Sequence, residues 1–540
     1  MTRPATLPTS MARPEDVLDA ADIQGNSLAG FKNDHQMFLF AVIDDVTAAK
    51  TWLKQLVPRI ATLARVAPHN RNFKLLKQAE GRDPEGLNAT WVNIAFSAPG
   101  LVKLRSASEI QGFSTSFVNG LHVSSPSLGD PTSPAADGNP KQWKVGGPQN
   151  VADVMVILAA DDPNDLEKIT ADIKISMFSP PGGTSAAFRA VFEQRCAVRP
   201  DLPGHEHFGF KDGISQPAPR GRFADVADSF LSARVIDPHD PRSAAFAEPG
   251  QPLVWAGQFV LGYQRQDSHS ALNPLPATVS TPPWAKNGSY VVVRRLNQDV
   301  PVFWKSLSQL AGEAKFGGLP AEHLGALLVG RWTSGAPIMR SPAADDSSLA
   351  LDDFANNNFE FKEATTPAPI IPTMKYGGDH FPTASGDLLG MICPHAAHIR
   401  KANPRDLPTD TGGQNDTLTR LILRRGIPFG SPVGNPLAPT PVELATERGL
   451  MFVCYQTSIK NQFEFLLNHW ANVDVQPQSG GMDPLLGQRF DETGTNRRVV
   501  LVPAPDGSLQ QAEIDATWIT PTGGGYFFSP SISAMRNELS

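Results

Sequence analysis

Phe38-Leu-Phe-Ala-Val-Ile43 is an unbroken apolar run, and Val46–Leu63 just after it carries Trp52, Leu53 and Leu56 at the spacing of one helical face. A short continuous apolar run reads as a buried strand, and the second pattern as an amphipathic helix. The same alternation recurs further along. Thr90–Phe96 reads as a second strand and the residues near Ser97–Leu104 as a helix. Met155–Ala159 is a third strand, followed by a helix around Asn164–Ile173 that Asp162 or Asn164 caps. Phe208–Phe210 is expected to close the set. Strand-helix-strand taken twice is the ferredoxin-like order. The later half repeats the pattern without repeating the sequence: Ser289–Arg294, Leu421–Arg425, Leu450–Tyr455 and Gly525–Phe528 as strands, Val300–Leu310 and Ser458–His469 as helices.

The expectation is an α+β chain of two ferredoxin-like domains, antiparallel sheets with peripheral helices, facing one another across a cleft. Residues 1–20 are expected to be a flexible segment, 21–220 the first domain and 221–540 the second. A chain of 540 residues is too long for one small core, which agrees with that division. Two stretches, 124–150 and 341–385, read as long surface loops, and loops of that length often shape an entrance or an interface. A net charge of −7 argues against a nucleic-acid binder, which would show a basic face. The longest apolar runs, Phe38–Ile43 and Leu324–Gly330, fall far short of a membrane span. The first ten residues lack the apolar core of a signal peptide. Three cysteines, none spaced as CxxC, support neither a disulfide framework nor a zinc site, and a reducing cytoplasm fits best.

Two stretches carry candidate chemistry. In His207-Phe-Gly-Phe-Lys-Asp-Gly-Ile-Ser-Gln-Pro217, Asp212 stands among glycines that let the backbone turn tightly and bring the carboxylate close to a flat ligand. In Cys393-Pro-His-Ala-Ala-His-Ile-Arg-Lys401, His395 and His398 share a face if the segment is helical. Each has an ordinary reading: Asp-Gly is a common turn pair, and an arbitrary HxxH is more often structural. An HxxH pair can also bind zinc or a di-iron centre, but the glutamates such a site requires are missing nearby. A haem needs just one protein ligand on its proximal side. Arg400 and Lys401, next to His398, are placed to meet its two propionates. A third stretch, Leu421-Ile-Leu-Arg-Arg-Gly-Ile-Pro-Phe-Gly430, sets arginine in a strand-like apolar run. An inward guanidinium there is costly unless it meets an anion. Arg424 and Arg425 face opposite sides of a strand, so only one can enter a pocket.

Gly-x-x-Asp-Gly at 209–213, Ala-His-Ile-Arg-Lys at 397–401 and Ile-Leu-Arg at 422–424 together resemble the dye-decolourising peroxidases. So do Ile23-Gln-Gly-Asn26, Arg448-Gly-Leu-Met-Phe-Val-Cys-Tyr-Gln456 and Gly523-Gly-Gly-Tyr-Phe-Phe-Ser-Pro-Ser531, in the family's order and from about residue 22 onward. The length looks like that of the larger members. The resemblance implies a dimeric α+β ferredoxin-like fold with haem b in the cleft of the C-terminal half. It implies His398 as the proximal iron ligand, Asp212 as the distal acid–base residue and Arg424 as the distal arginine. Leu450 and Phe452 match the apolar pair on the peroxide side, and Asp483 a carboxylate bonded to the proximal imidazole. Trp470 matches a tryptophan used for long-range electron transfer in some relatives. The implied reaction is reduction of hydrogen peroxide with one-electron oxidation of dyes, phenols or other aromatic donors. Two departures stand out: His395 is an extra histidine, and Gly426 replaces the distal asparagine of short bacterial members. A haem-handling protein without turnover would also use His398, but it gives no reason for Asp212 and Arg424 together.

Overall fold

The run Val154-Met-Val-Ile-Leu-Ala-Ala160 is buried at every position, and a strand with no wet face needs a layer on each side. A computed structural model describes residues 14–540 apart from 81–83, 85, 180–185, 227, 278–281, 372–378 and 492. Its strands are β1 (His35–Ile43), β2 (Thr90–Phe96), β3 (Val154–Ala160), β4 (Phe188–Ala197), β5 (Ser289–Gln298), β6 (Leu423–Arg424), β7 (Ile427–Phe429), β8 (Gly449–Gln456) and β9 (Ile519–Ser529). Among the described residues they form one antiparallel sheet in the order β6-β8-β5-β9-β2-β3-β1-β4, with β7 also paired to β8. Each half of that path runs second strand, third, first, fourth, which is the ferredoxin-like arrangement expected. The halves meet where β9 pairs with β2, through the single pair Phe528–Phe96.

The sheet supplies both layers by folding back on itself. Phe38, Phe40 and Ile157 of the first half share a core with Val293, Met451 and Phe527 of the second. The rings of Phe40 and Phe527 lie 6.1 Å apart. The opposite face of the first half is covered by helices Val46–Leu56, Ala98–Leu104 and Pro163–Phe178. Asp45 caps the first of these by accepting the Ala48 N–H at 2.9 Å, and Asp162 caps the third through Asn164 and Asp165. A third core gathers helices Val300–Ala311 and Ala321–Val329 with Phe208 and Phe210. The side-chain amide of Gln24 donates to the carbonyls of Ile94 at 2.9 Å and Pro530 at 2.8 Å, pinning the segment before β1 to both halves.

Several elements differ from expectation. The fourth strand is β4, not Phe208–Phe210. β4 ends the path and has few buried positions, with Arg189, Glu193 and Arg195 along it, so it shows no apolar run. Phe208 and Phe210 are apolar because they pack on Phe303 and Trp304, with Phe208 stacked on Phe303 at 4.3 Å. Although numbered within 21–220, this segment belongs by packing with the C-terminal half. The helix from Val46 stops at Leu56, where Pro58 follows, and a new helix starts at Leu63. Of the expected strand Leu421–Arg425 only β6, Leu423–Arg424, forms, and β7 follows beyond Gly426. Residues 1–13 of the expected flexible segment lie outside the described residues. Residues 14–20 are tied down: Glu15 pairs with Arg220 at 3.1 Å and Arg234 at 2.7 Å, and Leu18 is buried. The stretch 341–385 is not simply a surface loop, since Asn356, Asn357 and Asn358 are buried and Asp379 pairs with buried Arg340 at 2.8 Å.

Candidate active site

The turn that carries Asp212 is closed by local bonds. The Asp212 N–H donates to the Gly204 carbonyl at 3.0 Å and the Gly209 N–H to that of Glu206 at 3.0 Å. Gly209 and Gly213 stand at φ of 98° and 77°, where a side chain would be strained. Asp212 thus projects toward β6, and Arg424 there donates to its Oδ1 at 2.8 Å and to the Ser215 carbonyl at 3.0 Å. Strand alternation sends Arg425 the other way, onto the carbonyls of Asn26, Ser27 and Leu28. The Asp212 side chain is 38 % exposed, and that surface lies within a cavity walled by protein. Burial pushes its carboxyl up. The charge and hydrogen bond of Arg424, the Gly213 N–H and the charge of His398 outweigh that push, so the group sits below the usual carboxylate range.

His398 opens the short helix His398–Ala402. Its Nδ1 donates to Asp483 Oδ2 at 2.8 Å, and the other oxygen of that carboxylate accepts the Leu485 and Leu486 N–H groups at 2.8 and 2.9 Å. Burial lowers the proton affinity of the imidazole, but the charge and hydrogen bond of Asp483 raise it further, to a net position above the ordinary histidine value. In the neutral imidazole the hydrogen bond to Asp483 holds the proton on Nδ1, which leaves the Nε2 lone pair free for a metal. His395 does not share this environment. Its ring nitrogens meet the carbonyls of Ser479 and Leu388, and it does not line the cavity.

The cavity has a volume of about 260 Å³ and brings together His398, Asp483, Asp212, Arg424, Leu450 and Phe452. Two residues expected at the site stand elsewhere. Arg400 is fully buried behind it, donating to Asp387 at 2.9 Å and the Cys393 carbonyl at 2.8 Å. Lys401 is likewise spent on the carbonyls of Val473 and Gly481. Arg400, two residues after His398, faces another side of the helix, and Lys401, although three residues on, is held by those carbonyls and does not line the cavity. Trp470 is fully buried, with its N–H 3.4 Å from Asp410, while its neighbours Leu467 and Ala471 line the cavity. Asp410 also meets His469, whose side chain is 44 % exposed.

Sequence reasoning missed two cations in the wall, Arg331 and Arg405. Arg331 donates to the carbonyls of Gly335 and Asn356 and to Asn357 Oδ1, and Arg405 to the carbonyls of Asn357 and Phe359 and to the same Oδ1. Among the described residues neither forms an ion pair. Burial pushes Arg331 down to about 9, and the like charge of Arg405 adds to that. The signal was present: Arg331 follows the apolar run 324–330, the same cue that singled out Arg424. A wall with two buried guanidiniums and neutral partners suits a ligand bearing carboxylates.

An imidazole anchored by a carboxylate and a carboxylate–guanidinium pair line one largely apolar cavity, the kinds of group a haem peroxidase uses. The comparisons with known proteins agree. The DyP dimeric alpha+beta barrel domain matches residues 22–200 and the Dyp-type peroxidase C-terminal model residues 259–478. A dye-decolorizing peroxidase of Mycetinis scorodonius is 31% identical over 97% of this chain and 88% of its own. One from Auricularia auricula-judae is 31% identical over 97% of this chain and 87% of its own. The solved structure of an ancestral D-type dye decolorizing peroxidase has a TM-score of 0.74 and 32% identity, covering 97% of this chain and 99% of that one. The chain belongs to the dye-decolourising peroxidase family, whose members are haem enzymes, and it is a peroxidase. No described helix is long and apolar enough to cross a membrane.

Proposed function

We propose that the cavity holds haem b between His398 and the Asp212–Arg424 wall, and that the enzyme there reduces hydrogen peroxide and oxidises dyes, phenols or other aromatic one-electron donors. The observation that carries this reading is the 2.8 Å bond between Arg424 and Asp212 in the same cavity as His398; a haem carrier would need only the imidazole. When bound, the haem supplies an iron that takes oxidising equivalents from peroxide and hands them on singly. His398 would hold it through Nε2, with Asp483 strengthening the imidazole as a donor. Arg331 and Arg405 would take its carboxylates, the role that Arg400 cannot fill.

Asp212 accepts the proton of the nearer peroxide oxygen and returns it to the outer one, which leaves as water. Arg424 stabilises the charge that grows as the O–O bond breaks. Leu450 and Phe452 keep bulky molecules from the reacting oxygens. Large donors then deliver electrons from the protein surface, and the segment at Trp470, with His469 exposed beyond it, is the proposed route. A homodimer and a cytoplasmic location are part of the same proposal. The first draws on the family's dimeric domain, the second on three buried free thiols.

The test is spectroscopic and kinetic. His398→Ala should lose the Soret band while His395→Ala keeps it. Asp212→Asn should keep haem and react with peroxide about a hundredfold more slowly. Equal haem loss in both histidine variants, or an Asp212→Asn enzyme reacting at the parent rate, would overturn the reading.

A further inference from the structure

A second carboxylate lies inside the turn that presents Asp212. Glu206 lines the same cavity. Its Oε2 accepts the Phe208 N–H and its Oε1 the Phe210 N–H, each at 2.8 Å, and the side-chain amide of Gln298 on β5 donates to Oε2 as well. Its main chain is engaged too. The Glu206 N–H donates to the Phe210 carbonyl at 3.1 Å, and its own carbonyl accepts from Gly209 at 3.0 Å and from Arg199 at 2.9 Å. The turn is therefore wound around one side chain, and Asp212 follows two residues after the last N–H that this side chain holds.

No cation pairs with Glu206 among the described residues. Burial pushes its carboxyl up to about 7 against the pull of the Phe208, Phe210 and Gln298 hydrogen bonds, and the negative charge of Asp212 adds to the push. A buried carboxylate without a counter-charge is an expensive way to hold a turn. Three N–H groups converge on its two oxygens, and a side-chain amide offers only one oxygen to accept them.

We infer that Glu206 is the positioning residue of the distal site, setting where Asp212 stands against Arg424. The inference rests on the reading of Asp212 as the acid–base group. Glu206→Gln keeps the volume but leaves one oxygen for three donors. In the haem-loaded variant, amide hydrogen exchange at Phe208 and Phe210 should speed up about tenfold with the Soret band and melting temperature unchanged. The reaction with peroxide should slow about tenfold or more across the pH profile, with KM for the reducing donor unaltered. Asp212→Asn should lose the peroxide reaction without the change in exchange. If Glu206→Gln keeps the parent's exchange, or keeps its plateau rate and only moves the acid limb lower, Glu206 acts by charge or not at all and positioning is wrong. If Asp212→Asn reacts at the parent rate, the acid–base reading fails first and this inference with it.

Discussion

Asp212 is drawn in opposite directions by its surroundings, and Arg424 decides the outcome. Burial alone would make the carboxyl hold its proton; the guanidinium 2.8 Å away reverses that. Because the pKa lies below the usual range, the proton-accepting form persists into acid and is lost only as pH falls through that depressed value. Arg424→Leu removes the depressing charge, so the acid limb of the peroxide reaction should move up in pH while the plateau also falls. Stopped-flow rates from pH 3 to 7 would check both, on a scale set by the ordinary aspartate value of about 3.9. A limb that stays put would mean another group sets it. That Asp212, Arg424 and His398 share one cavity was legible because residue type, order and motif agreed; Asp483 lies outside those motifs. Arg400 was misplaced and Arg331 overlooked for a common physical reason. The sequence shows which residue is next to which, and the direction of a side chain depends on backbone that only the fold defines.

At the level of elements, apolar runs were readable and amphipathic edges were not. β1, β3 and β8 are buried nearly throughout and stood out, whereas β4 alternates charge with partial burial and did not. Turn-bound aromatics imitated a strand at Phe208–Phe210 because burial, not secondary structure, selects phenylalanine. Helix starts were better marked than helix ends: Asp162 caps its helix as expected, whereas the helix from Val46 stops at Leu56 and not at Leu63. Asp45 has extended backbone and accepts the Ala48 N–H, as a good N-cap does. Asp45→Ala should lower stability by about 1 kcal/mol, seen as an earlier denaturation midpoint with the peroxide reaction unchanged. A midpoint equal to the parent's would show that water replaces the cap at no cost.

Over the whole molecule, Arg295 ties the two halves together. From β5 it reaches Gln194 on β4 at 2.8 Å and Glu447 at 2.9 Å, with its guanidinium 5.7 Å from the ring of Phe192 and 4.2 Å from that of Phe429. Replacing it by methionine should reduce stability by about 2 kcal/mol, the scale of charge-assisted hydrogen bonds, and thermal melting of the holoenzyme would read it. No shift in melting would place the cohesion of the halves in the apolar core alone. The position of β9 carries a consequence for how the molecule is made. Of the described strands of this sheet it is the last in sequence, and yet it sits between β5 and β2 in the middle. While a ribosome is still short of residues 519–529, each half presents a bare inner edge, and such edges recruit strands from neighbouring chains. Synthesis must therefore pass through a stage in which two unsealed sheets await their keystone, and any premature stop before that strand leaves a product inclined to aggregate.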